Sequence, residues 1–119
     1  MTDNNGGGVQ EPMAAIDRLI HEPSRYTVMA YLYVLEVADF LFLIRQTGMT
    51  WGNLSAHLSK LEAAGYVAIE KEFLGKKPHT VVRLAGDGRN AFDEYQGNMK
   101  KVLNSLPAKS RLSYGYSPA

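Results

Sequence analysis

The sequence predicts a mainly α-helical domain with one small β-hairpin, and three observations carry that reading. Leu54, Leu58 and Leu61 recur at the spacing of a single buried helix face. Residues 66–73 switch to alternation, with Val67, Ile69, Lys71 and Phe73 on one side and Ala68, Glu70 and Glu72 on the other. From Phe92 the period returns to helical, with Tyr95, Met99, Val102 and Leu106 forming a short coiled-coil-like seam. At 119 residues the chain is the size of one domain.

The elements follow in order. Residues 1–10, with Gly6, Gly7 and Gly8 among polar neighbours, are expected to be a disordered tail. Residues 107–119, rich in serine with Gly115 and Pro118, are expected to be a second flexible tail, which leaves 11–106 as the folded body. A first helix is expected over about 12–21, opened by Pro12 and striped with Met13, Ile16, Leu19 and Ile20. Pro23 opens a second, about 23–37, which is apolar on nearly every side from Tyr26 to Leu35. Such a helix is covered on more than one face. Asp39 is an N-cap for a third helix over 40–47, and Gly48 ends it. Thr50 caps a fourth, about 51–64, closed by Gly65. Two helices joined by a short glycine-bearing turn have helix-turn-helix spacing. Strands over 66–73 and 80–84 flank the turn chemistry of Leu74-Gly75-Lys76-Lys77-Pro78, and a last helix covers about 86–106.

Composition narrows the chemistry. There is no cysteine, which excludes disulfides, thiolate metal sites, cysteine nucleophiles and thiol redox sensing, and fits a reducing cytoplasm. The start of the chain has neither a basic nor an apolar stretch, and Tyr26–Leu35 is too short to cross a bilayer, so a cytoplasmic location without membrane contact is expected. The net charge of +1 is uninformative, but its distribution is not. Residues 11–39 carry a balance of −3, whereas 71–83 carry +3 from Lys71, Lys76, Lys77 and Arg83 against Glu72.

The order helix, helix, helix-turn-helix, hairpin, helix is the winged helix-turn-helix plan. Over Leu54-Ser55-Ala56-His57-Leu58-Ser59-Lys60-Leu61-Glu62-Ala63-Ala64-Gly65-Tyr66-Val67, the pattern Ser-x-His-Leu-x-x-Leu-x-x-Ala-Gly-x-Val resembles the recognition helix of ArsR-type regulators. Gly75-Lys76-Lys77-Pro78, with Arg83-Leu84 and Gly88-Arg89, resembles the wing and following helix of the MarR-like branch. The resemblance covers about 20–106 and is to small prokaryotic winged-helix transcriptional regulators. It implies a homodimer joined by terminal helices, with the fourth helix in the major groove and the wing on the backbone or minor groove. The cysteine metal motif of the ArsR family has no counterpart in Phe40–Gln46, so metal sensing is not implied.

With the three leucines inward, the residues expected to touch double-stranded DNA are Thr50, Trp51, Asn53, Ser55, Ala56, His57, Ser59 and Lys60. The wing adds Lys76, Lys77, His79 and Arg83. Ordinary explanations stand beside these. Thr50 caps its helix whatever the helix does, Trp51 is equally a packing residue, His57 can cover the wing, and Lys60 with Glu62 can be a solvated face. Lysines at a hairpin tip also discourage edge pairing. The surplus apolar surface of the second and last helices is expected to form a dimer interface through Met29, Leu32, Tyr33, Phe92, Tyr95, Met99, Val102 and Leu106. A pocket between those surfaces would suit an apolar effector, though no residue signals one.

Catalysis is not expected. His21, His57 and His79 lie in different elements, and no catalytic or phosphate-loop motif occurs. Neither a cofactor nor a metal is expected. The function this predicts is a DNA-binding transcriptional regulator; the alternative is a winged-helix adaptor that binds only protein.

Overall fold

A computed structural model describes residues 9–106. Both expected tails fall largely outside this range, except that Gln10 already belongs to a helix. The elements are α1 (Gln10–Ala14), α2 (Pro23–Leu35), β1 (Val37–Asp39), α3 (Phe40–Thr47), α4 (Trp51–Ala63), β2 (Val67–Leu74), β3 (Lys77–Leu84) and α5 (Gly86–Asn104). They form two compact units, Asp17–Tyr95 and a smaller one built from residues before and after it. Among the described residues, no helix is long and apolar enough to cross a membrane.

In the smaller unit, α1 is one short turn of helix, and the Asn98 amide of α5 donates to the Ala15 carbonyl at 3.3 Å. The expected helix over 12–21 is therefore corrected. It stops at Ala14, and Asp17 instead folds a tight turn by accepting from the backbone N–H groups of Leu19 and Ile20 at 2.8 and 3.2 Å. Aspartate competes in this way with helical hydrogen bonding.

In the larger unit, Glu22 caps α2 by accepting from Arg25 N–H at 2.8 Å, with Pro23 in the first turn. The helix ends at Leu35, two residues earlier than expected. Glu36 takes φ 69°, a region costly for a residue with a side chain. It is held there from three sides. Its N–H donates to Leu32 O at 2.7 Å, its carbonyl accepts from Leu84 N–H at 2.8 Å, and its carboxylate pairs with Arg89 at 3.1 Å.

That reversal releases Val37–Asp39 as β1, which the sequence reading missed. The hairpin is thus part of a three-stranded antiparallel sheet, in the order β1-β3-β2. A three-residue strand has too little sequence to show a period and exists here because Leu84, Val82 and their neighbours on β3 offer it an edge. The strands of the hairpin are also longer than expected, and its turn shrinks to Gly75 and Lys76. Gly75, at φ 65°, supplies the positive angle that a two-residue hairpin turn with glycine first requires.

The helix-turn-helix forms as expected. Asp39 Oδ1 accepts from Leu41 N–H at 2.7 Å, and Gly48 ends α3 at φ 71°. Leu54, Leu58 and Leu61 are fully buried with Val28, Met29, Leu32, Leu43 and Val82. Burying each such side chain is worth roughly 1.5–3 kcal/mol. This packing fixes which way the opposite flank of α4 looks.

Candidate nucleic-acid interface

The flank of α4 opposite its leucines is polar or small. Thr50 caps the helix through its hydroxyl, which accepts from Asn53 N–H at 3.1 Å. Trp51, Asn53, Ala56, Ser59 and Lys60 are exposed, and Ser55 is half-buried on the edge of the face. Gly52 lies on the same outward face, one turn before Ala56, with open space where a Cβ would stand. Sequence reasoning passed over it because a glycine carries no side-chain signal. Lys60 makes no ion pair among the described residues.

Trp51 packs as a core-edge residue and still leaves part of its surface open. One side of its ring packs on Phe40, with centroids 4.4 Å apart, yet 59% of the residue remains exposed. Trp51 also lines a cleft of about 350 Å³ with Asp39, Phe40 and Leu41 on one wall and Lys77, Pro78 and His79 on the other. The start of α4 and the first residues of β3 in the wing therefore open onto one concave surface.

His57 does not take up the alternative role of covering the wing. It packs against the start of α2 and not on the wing: its Nδ1 accepts from Arg25 Nη1 at 3.2 Å and lies 3.9 Å from Glu22 Oε1. Arg25 is itself anchored, donating through Nε to the Leu19 carbonyl at 2.6 Å. With Nδ1 accepting, the ring proton sits on Nε2, which has no protein partner among the described residues. His57 thus ties α4 to α2 and keeps one donor free.

On the wing, Lys76 and Lys77 are exposed at the tip and unpaired among the described residues. His79 Nδ1 bonds to Asp39 Oδ2 at 2.8 Å, joining the wing to the N-cap of α3. That bond holds the Asp39 carboxyl below its ordinary value of 3.8, assisted by the Leu41 and Phe42 backbone N–H groups. Arg83 is not brought to the tip. It pairs with Glu70 at 3.3 Å and lies six residues along β3 from Lys77, roughly 20 Å at strand rise.

The expected dimer surface needs a sharper correction. Met29 and Leu32 have no exposed area, and Phe92 and Tyr95 are also buried within the larger unit. Phe92 packs on Tyr33 at 5.0 Å and Tyr26 at 5.5 Å, while the Tyr95 hydroxyl bonds to His21 Nδ1 at 2.8 Å. These four residues are core, so they have almost no area to give a partner. Tyr33 is half-covered, with Arg89 4.7 Å above its ring and its hydroxyl donating to Asp93. Met99 and Val102 are half-buried and Leu106 is exposed, beside an exposed Leu103 that sequence reasoning omitted.

A family described as a winged helix DNA-binding domain matches residues 24–103, and the chain belongs to that family. An uncharacterized protein of Methanocaldococcus jannaschii is 33% identical over 78 residues, which cover 66% of this chain and 85% of that protein. A transcriptional regulator homologue from Pyrococcus horikoshii has a similar structure, at 26% identity and a TM-score of 0.73, over 83% of this chain and 96% of that one. The DNA-bound form of reduced AbfR, a Staphylococcus epidermidis protein, shares the fold at 18% identity and a TM-score of 0.61, covering 84% and 67%. So does a MarR-family transcriptional regulator from Silicibacter pomeroyi, at 20% and 0.58, covering 95% and 69%. The family is that of a winged helix DNA-binding domain, and the fold is one found among solved transcriptional regulators.

Proposed function

We propose that the protein is a homodimeric regulator that reads duplex sequence with the outward flank of α4 and grips the backbone or minor groove with the β2–β3 wing. The observation that carries this is the shared cleft: Trp51 at the start of α4 and Lys77 and His79 on the wing face the same space. A duplex laid against α4 then meets the wing without rearrangement. Asn53 has the donor and acceptor for an adenine edge, and small residues at Gly52, Ala56 and Ser59 let the helix approach the groove floor. Lys60, Lys76 and Lys77 suit phosphates. The similarly folded AbfR has been solved bound to DNA, which supports a DNA-binding use of the fold.

Two-fold pairing is supported by the apolar strip at the end of α5, where half-buried Met99 and Val102 lie beside exposed Leu103 and Leu106. Selecting bound duplexes from a random pool tests the reading. Two half-sites about 10 base pairs apart, or a multiple, are expected. Recovery of unrelated sequences, or of none, overturns it.

A further inference from the structure

The wing tip carries more than charge. Phe73 and Leu74, the last two residues of β2, are 68% and 64% exposed, which is unusual for large apolar side chains at a hairpin end. The register places Phe73 opposite Pro78 and Leu74 opposite Lys77. Cross-strand partners share a face, so each face of the tip has an apolar group, and one of them stands beside a lysine. The last buried residue of β3 on the way out is Val81, opposite Glu70. Leu74 lies four residues beyond that pair, so the tip projects roughly 13 Å past the core. Nothing among the described residues covers it.

From this we infer that the tip is an apolar wedge for the minor groove of DNA: Leu74 and Phe73 enter between the groove walls and part a base step, while Lys76 and Lys77 hold the flanking phosphates. The inference rests on the wing binding DNA as proposed above. Charge complementarity selects the occupant, because residues 71–77 contain Lys71, Lys76 and Lys77 against Glu72 alone. The reach is sufficient for a groove about 7.5 Å deep. The width is not: two strands about 4.8 Å apart, with side chains on both faces, overfill a groove about 6 Å wide. Seating the tip therefore requires a widened groove, which unstacking of a step by an apolar side chain provides.

The test uses the full chain and a short A·T-rich duplex with 2-aminopurine at successive steps and a fluorophore pair at its ends. Binding of the native protein should brighten the probe at one step and shorten the end-to-end distance. The double variant Phe73→Ala, Leu74→Ala should bind roughly ten- to a hundredfold more weakly and lose both signals at saturation. Phe73→Trp with Leu74→Met should keep them. Equal affinity and brightening in the alanine variant overturns the wedge. So does a change in its sedimentation without duplex, which would assign the tip to contact between copies. If the native protein binds no duplex at low salt, the proposed function itself falls and the wedge with it.

Discussion

The carboxylate of Asp39 serves two elements at once: one oxygen caps α3 at Leu41, and the other holds His79 of the wing at 2.8 Å. The helix-turn-helix and the hairpin are thereby joined by one side chain at the cleft where both meet DNA in the proposed complex.

Asp39→Ala should cost about 0.5–2 kcal/mol in denaturant unfolding through loss of the cap. Asp39→Asn keeps a capping oxygen but removes the carboxylate charge that bonds to His79. Because the folded-state pKa of Asp39 lies below its ordinary 3.8, its contribution is complete above that value and is lost as pH falls through the folded one. The asparagine variant should therefore show a shallower loss of stability on acidification. An unchanged acid limb would mean that the His79 pair contributes nothing.

Lysine and asparagine substitutions should separate grip from reading. Lys76→Ala with Lys77→Ala is expected to weaken binding to all duplexes alike, and to lower the salt slope by about 0.9 per lost phosphate contact. Asn53→Ala should instead relax preference at one base pair, by about 1–3 kcal/mol. Titrations of a selected and a scrambled duplex at several salt concentrations distinguish the two outcomes.

Two glycines of α5 should respond in opposite directions to alanine. At Gly97 a Cβ meets nothing within 4 Å, so Gly97→Ala should stabilise the protein by up to about 1 kcal/mol. At Gly88 a Cβ would lie 2.0 Å from the Tyr66 carbonyl oxygen, which is backbone and cannot swing aside. Gly88→Ala should cost about 1–3 kcal/mol or more. Thermal unfolding of the two variants reads both signs.

The Tyr66 hydroxyl donates to Asp17 at 2.5 Å, and that bond, with burial and neighbouring carboxylates, pushes its pKa up to about 12. Since the folded value lies above the ordinary 10.0, the contribution to stability is complete below 10 and declines as pH rises toward 12. Alkaline spectrophotometric titration should show late-titrating phenol absorbance, of which one phenol's share is absent in Tyr66→Phe.

The pairing of two chains is open to a direct measurement. Val102→Glu with Leu106→Glu should leave the larger unit folded, since neither residue belongs to it, and shift sedimentation toward monomer. A native protein that already sediments as a monomer at micromolar concentration would remove the homodimer from the proposal.

The sequence by itself determined the helix-turn-helix and the wing. Asp39, Gly48, Thr50 and Gly65 mark helix ends through local hydrogen bonding and backbone angles, and Leu54, Leu58 and Leu61 declare a buried face through spacing alone. Those are short-range signals. Tertiary structure decided β1, the early end of α2 at Glu36 and the fate of the apolar residues on α2 and α5. Periodicity says that Met29, Leu32, Phe92 and Tyr95 want cover, but only the packing of the aromatic cluster says that the same chain supplies it. Likewise, the alternation in β2 shows Phe73 on the face shared with Val67, and only the length by which the hairpin outruns the core leaves it bare. Burial depends on which surfaces meet across long stretches of chain, and no local pattern encodes that.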